Sequence, residues 1–181
     1  MNKAIFLDRD GVINFDTGYT HKIEDLKFIS NSIEGLRLMQ DKGYQLIIVT
    51  NQAGIAKGIY SEKEYVAFRN EMHNQLREYG IIIDKEYFCP HHKEGIIEKY
   101  KIDCNCRKPK TGMLEQAAKD FNLDLKKCWM IGDTPSDVQA GKNAGCRAIQ
   151  VMSGKEKVKC NNADFIANDL IEVANYIFSN S

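Results

Sequence analysis

Short apolar runs and amphipathic stretches alternate along this chain. Lys3 to Asp8 is an apolar run closed by charge, and Tyr44 to Thr50, Cys128 to Asp133 and Cys146 to Val151 repeat the form. Buried parallel strands read as continuous apolar runs of this length, so the four segments predict strands. Between them the apolar positions shift to helical spacing. Ile33, Leu36 and Met39 share a face ahead of Gly43, a C-cap residue. Ser61-Glu62-Lys63-Glu64 has the form of a capping box, and Tyr65, Phe68, Met72, Leu76 and Tyr79 follow at steps of three and four before Gly80. Leu114, Ala117 and Phe121 form a third face. Pro135 to Ala144, closed by Gly145, predicts a fourth helix, and Asn168 or Asp169 caps a last one carrying Ile171, Ala174 and Phe178. The aromatic residues on these faces, and Trp129, are read as core.

The alternation predicts an α/β fold: an open, mostly parallel sheet of Rossmann type with helices on both faces. At 181 residues the chain is expected to form one domain, 1–181, burying roughly 70% of its unfolded surface. Two stretches interrupt the pattern. Arg9 to Ser30 is polar and too long for a simple strand-to-helix turn, and Cys89 to Lys110 carries clustered Cys and His. Between Gln52 and Arg107 there is room for one helix, one strand and a loop, so no large cap domain is expected.

Composition narrows the function classes. A hydrophobic fraction of 43% with 28% charged residues excludes a disordered chain. Lys plus Arg number 25 and Asp plus Glu 25, which argues against a nucleic-acid binder. No apolar run exceeds four residues, which excludes a membrane-spanning helix and a signal-peptide core. The expectation is a soluble, cytoplasmic monomer whose partner is a small molecule. Disulfides are not expected there, so the six cysteines need another account. Cys128 and Cys146 sit in strand-like segments as small core hydrophobes, and Cys160 lies in a polar stretch. Cys89, Cys104 and Cys106 group with His91 and His92. Three thiolates and one imidazole suit a closed, structural Zn²⁺ site on the loop 89–106.

In open α/β sheets, ligands bind beyond the carboxyl ends of the strands. There this chain places Asp8-Arg9-Asp10-Gly11-Val12, Thr50-Asn51-Gln52-Ala53-Gly54, and Gly132-Asp133-Thr134-Pro135-Ser136-Asp137; Arg107-Lys108-Pro109 closes the Cys/His segment. Carboxylates gathered in one crevice repel unless a cation joins them, and hard oxygen ligands suit Mg²⁺. Lys108 and Arg107 would balance a phosphoryl group, one carboxylate would attack it, and a second would move the proton.

These segments resemble the four motifs of the haloacid dehalogenase superfamily, over Ala4 to about Val151. Phe6-Leu7-Asp8-Arg9-Asp10-Gly11, Thr50 to Gly58, Cys89-Pro90-His91-His92 and Cys104-Asn105-Cys106-Arg107-Lys108-Pro109 are similar to the heptose bisphosphate 7-phosphatase family; the histidinol-phosphate phosphatases share much of the pattern. The resemblance implies an aspartyl-phosphate mechanism with Asp8 as nucleophile and Asp10 as general acid/base. It implies Mg²⁺ on the Asp8 carboxylate, the Asp10 carbonyl and Asp133. Thr50 would bond the phosphoryl oxygens, and Lys108 would neutralise them and Asp8. Substrate would meet Arg107, Asp16, Thr17, Gly18, Tyr19, Asn51, Gln52 and Ala53. Zinc would take Cys89, His91, Cys104 and Cys106. The heptose family often has Lys where this chain has Thr134. Asp137 is expected to orient Lys108 or Asp133, or to serve the first turn of its helix.

The substrate implied is a phosphorylated sugar, heptose 1,7-bisphosphate, losing its 7-phosphate. Its second phosphate asks for a remote cation, for which Arg107 and Lys57 are candidates. Histidinol phosphate is the rival ester. A phospho-Asp receiver module is the reading from another class, and Asp10 argues against it, because a long-lived phospho-Asp has no use for an adjacent general acid. A zinc-dependent interaction module on a degenerate core is weakened by the presence of every expected catalytic residue.

Overall fold

The computed structural model of the chain describes residues 2–155 and 157–180. Six strands form one sheet: β1 (Ala4–Leu7), β2 (Gln45–Asn51), β3 (Lys85–Cys89), β4 (Trp129–Gly132), β5 (Arg147–Val151) and β6 (Phe165–Ala167). Their order is β3-β2-β1-β4-β5-β6 and every pairing is parallel. Among the described residues the six α-helices are α1 (Ser32–Asp41), the single turn α2 (Ala53–Ala56), α3 (Glu62–Glu78), α4 (Gly112–Phe121), α5 (Pro135–Ala144) and α6 (Leu170–Ser179).

Strand alternation distributes the core. Ile5, Leu7, Leu46, Ile48, Trp129 and Ile131 face α1, α3 and α6 through Leu36, Met39, Phe68, Met72, Val173 and Ile177. Ala4, Phe6, Ile47, Val49 and Met130 face α4 and α5 through Leu114, Ala117 and Val138. Both faces are therefore covered, which is why the central strands read as unbroken apolar runs. Cys128 and Cys146 are buried at the feet of β4 and β5, and Trp129 is core.

The local signals act as predicted. Ser61 and Glu64 form the reciprocal capping box of α3. Of the two candidate caps for α6, Asp169 accepts from the Glu172 N–H. Tyr79, read as core, is instead 49% exposed at the end of α3. The three-residue β6 escaped the pattern because two of its residues are only half-buried. The long Arg9–Ser30 stretch folds back on itself: Asn14 bridges to Asp10 and to Phe28, and Val12 and Ile13 enter the core. No described helix is long and apolar enough to cross a membrane.

Candidate active site

The strand order reverses between β1 and β4, where a crevice opens beyond their carboxyl ends. Asp8 follows β1 and Asp133 follows β4; the Asp8 N–H still donates to Ile131 O, at 2.9 Å, so the two exits stay side by side. A cavity of about 390 Å³ sits above them, lined among others by Asp8, Asp10, Thr50, Lys108, Asp133 and Asp137.

Lys108 is the centre of charge. Its ammonium donates to Asp8 Oδ1 at 2.8 Å and to Val49 O at 2.7 Å, and it pairs with Asp137 Oδ1 at 2.7 Å. Burial opposes that charge, but the flanking Asp137 and Asp8 outweigh it and hold the lysine protonated above its ordinary range. Asp137 Oδ2 accepts the N–H and hydroxyl of Thr134, so the residue caps α5 and orients Lys108 with the same carboxylate.

One ammonium does not balance three carboxylates. The donor atoms of Asp8, Asp133 and Asp137 lie within 4.8 Å of one another. Burial pushes Asp8 up to about 7, with Lys108 opposing and Asp137 adding; burial, then Asp8 and Asp137, push Asp133 up to about 8. Asp133 Oδ1 is buried and has no hydrogen-bond partner among the described residues. An orphaned carboxylate oxygen beside surplus negative charge fits a hard divalent cation such as Mg²⁺.

Asp10 is held differently. Arg9 Nε and Nη2 donate to its two oxygens at 3.1 and 2.8 Å, Asn14 donates at 2.8 Å and Gln52 at 3.3 Å. Arg9 is wholly buried, with its guanidinium over the Phe68 ring. The Tyr60 hydroxyl donates to Gln52 Oε1, which turns the amide nitrogen toward Thr50 Oγ1, at 2.9 Å, and Asp10. Because Thr50 Oγ1 accepts that bond, its own proton is free to point into the cavity.

The Cys/His loop closes on one point. Cys89 is the last residue of β3, and its sulfur lies 3.4 Å from Cys104 Sγ and 3.9 Å from His91 Nδ1. Cys106 Sγ lies 3.2 Å from Cys104 Sγ and 3.4 Å from His91 Nδ1. Tetrahedral zinc with bonds of about 2.0–2.3 Å has ligand edges of about 3.6–3.8 Å, so this donor set fits it. His92 is turned away and accepts the Glu94 N–H. Asn51 ties the loop's end to β2: its amide bonds both Lys108 N–H and Lys108 O.

A HAD-hydrolase-like family model matches residues 105–173. A D-glycero-alpha-D-manno-heptose-1,7-bisphosphate 7-phosphatase of Photorhabdus laumondii is 43% identical over 97% of this chain and 96% of its own. The D-glycero-beta-D-manno-heptose-1,7-bisphosphate 7-phosphatase of Haemophilus ducreyi is 44% identical over 97% and 98%. The chain belongs to the heptose-1,7-bisphosphate 7-phosphatase family of HAD-like hydrolases. A crystal structure from this family, the B. bronchiseptica D,D-heptose 1,7-bisphosphate phosphatase complexed with magnesium and phosphate, superposes with a TM-score of 0.85 at 26% identity over all of both chains. A HAD-like phosphatase from Mesorhizobium loti gives 0.87 at 31% identity, over 98% of this chain and 85% of that one.

Within this heptose phosphatase fold, most of the residues singled out from sequence share the cavity. Asp16, Gly18, Tyr19, Asn51, Gln52, Ala53 and Arg107 line it alongside the carboxylates. Thr17 is outside that lining, its hydroxyl 3.2 Å from Thr20 Oγ1. Asn51 lines the cavity with its amide already engaged by Lys108. Sequence reading missed Arg9, Asn14, Tyr60 and Ser136. Arg9 carried a signal: an arginine between two motif aspartates in a strand exit is a natural partner for one of them.

Proposed function

We propose that this phosphatase hydrolyses the 7-phosphate of D-glycero-D-manno-heptose 1,7-bisphosphate through a phospho-Asp8 intermediate, as one domain spanning 1–181. The observation that carries the chemistry is the Asp8–Lys108–Asp137 triad beside the orphaned Asp133 oxygen. Asp8 attacks phosphorus with the oxygen that Lys108 leaves free, while the Thr50 hydroxyl donates to the phosphoryl oxygens and the Lys108 ammonium, its protons held by Asp8, Val49 O and Asp137, offsets their charge. Asp10, as the general acid, gives a proton to the departing sugar oxygen. The resulting carboxylate, steadied by Arg9 and Asn14, then takes a proton from the water that cleaves the acyl phosphate.

Asp8, Asp133 and the Asp10 carbonyl would hold Mg²⁺, which supplies charge neutralisation of the phosphoryl group when bound. Cys89, His91, Cys104 and Cys106 would hold structural zinc and so present Arg107 and Lys108 to the cavity.

The substrate reading rests on the two cations at the cavity rim. Lys57, bonded to the Tyr19 hydroxyl at 2.7 Å, and Arg107 would take the phosphate that does not react. Histidinol phosphate brings ammonium and imidazole to those cations and is disfavoured. Phosphate release should be compared for heptose 1,7-bisphosphate, fructose bisphosphate and histidinol phosphate. kcat/KM for the heptose bisphosphate should exceed that for histidinol phosphate by at least ~10²-fold, and Arg107→Ala should narrow the gap by damaging the bisphosphate reaction. A preference for histidinol phosphate would overturn the substrate while leaving the mechanism standing.

A further inference from the structure

The loop after β5 carries none of the motifs, yet it closes over Asp133. Gln150, fully buried in β5, donates to Asp133 O at 3.2 Å and Val158 O at 2.9 Å, and accepts the Cys160 N–H at 2.7 Å. Ser153 Oγ donates to Gly11 O at 2.8 Å, and the Lys155 ammonium lies 3.4 Å from Asp16. These bonds fasten one loop to the exits of both β1 and β4. Between the fastenings lies Gly154, buried against the Asp133 side chain.

A Cβ built on Gly154 would stand 1.9 Å from Asp133 Oδ2 and 2.5 Å from its Cβ and Cγ. On the other side, a Cβ on Gly11 would stand 2.4 Å from the same oxygen. Gly11 has φ +84, so its backbone asks for glycine in any case; Gly154 is not among the positive-φ residues, and its backbone would accept alanine. The three atoms nearest that Cβ all belong to Asp133, so the carboxylate is what a side chain there would meet first. The carboxylate is thus wedged between two glycines, and its Oδ1 is left in the site without a partner. A free carboxylate turns about two bonds to find donors, whereas this one is kept from doing so.

We infer that Gly154 is a positioning residue for divalent-cation binding: its missing side chain leaves the only space in which Asp133 holds its ligand orientation, and Ser153 keeps the loop in place. The inference rests on the reading of Asp8 and Asp133 as a Mg²⁺ site. It concerns affinity for the ion rather than the chemical step, because neither Gly154 nor Ser153 is among the residues lining the cavity.

The test is a calorimetric titration of Mg²⁺ into full-length, zinc-loaded wild type and Gly154→Ala, with thermal melts of both in the absence of Mg²⁺. The variant should bind Mg²⁺ at least ~10-fold more weakly. Its metal-free melting temperature should fall by no more than roughly 10 °C, the cost of overpacking by one methyl, and kcat should recover as Mg²⁺ is raised. Ser153→Ala, which adds no bulk, should weaken binding by about 3-fold, in line with one lost hydrogen bond, and it keeps the idea testable if Gly154→Ala does not fold. Equal Mg²⁺ affinity in wild type and either folded variant would overturn the inference alone. A lowered melting temperature with unchanged affinity would do the same, reducing Gly154 to packing. A wild type that takes up no Mg²⁺ would overturn the cation site, and this inference with it.

Discussion

Lys108 Nζ lies 2.7 Å from Asp137 Oδ1, with both side chains only 2% exposed. That one contact joins the end of the Cys/His loop to the first turn of α5. It also leaves the ammonium aimed at Asp8.

Asp137→Asn keeps the shape of this contact and removes its charge. The buried ammonium would then keep Asp8 as its one ion-pair partner among the described residues. Breaking a buried pair costs about 3–5 kcal/mol, and the amide, with one acceptor oxygen in place of two, keeps either the Lys108 contact or the Thr134 bonds but not both. Denaturant unfolding should show a loss of roughly 3 kcal/mol, and kcat should fall by ~10–10²-fold. Wild-type stability and turnover in this variant would leave the pair without a role.

Asp8→Asn tests the nucleophile. Burial raises Asp8 toward 7 in the free protein, while Lys108 at 2.8 Å favours its charged form. The amide cannot attack, so kcat should fall by at least ~10³-fold. Rapid acid quench with labelled substrate should trap phosphoprotein in wild type and none in the variant. A labelled variant would place the acyl phosphate elsewhere.

The raised carboxylates set a pH dependence. Asp8 near 7 and Asp133 near 8 keep protons that the unfolded chain releases in the ordinary carboxylate range. The folded state therefore binds more protons across that window, and the stability these groups lend is full at low pH and lost as pH rises through 7 and 8. Metal-free protein should melt at falling temperatures from about pH 5 to about pH 8, and Asp133→Asn should flatten the slope. Added Mg²⁺, which needs the ionised carboxylates, should raise the melting temperature more at the upper end than at the lower. A Mg²⁺ increment independent of pH would rule out these two groups as the source.

Zinc removal should act at a distance. Cys104→Ser should lower zinc content, measured by elemental analysis, together with the melting temperature. Activity should fall mainly in kcat/KM, because Arg107 and Lys108 follow Cys106 directly and lose their anchorage. Purified wild type with no zinc, never exposed to chelator, would dispose of the site.

What could be read from the chain alone was whatever local chemistry decides. The apolar runs of β1, β2, β4 and β5, the Ser61–Glu64 box and Pro135 at the start of α5 depend on neighbours within a few residues, so periodicity and capping expose them. The acidic strand exits were legible for the same reason: parallel strands must deliver their next residues to one edge. Tertiary structure decided the rest. That Asn51 serves the Lys108 backbone depends on a contact 57 residues away, and the bond from Ser153 to Gly11 spans 142. Tyr60 turning Gln52, and Gly154 leaving room for Asp133, are likewise questions of which surfaces meet once the sheet has closed its order. β6 needed an existing β5 edge, since a strand of three residues with half-buried side chains has too little pattern to announce itself. Residue type and spacing determined which groups this protein has at its strand ends; long-range packing decided which of them hold the others still.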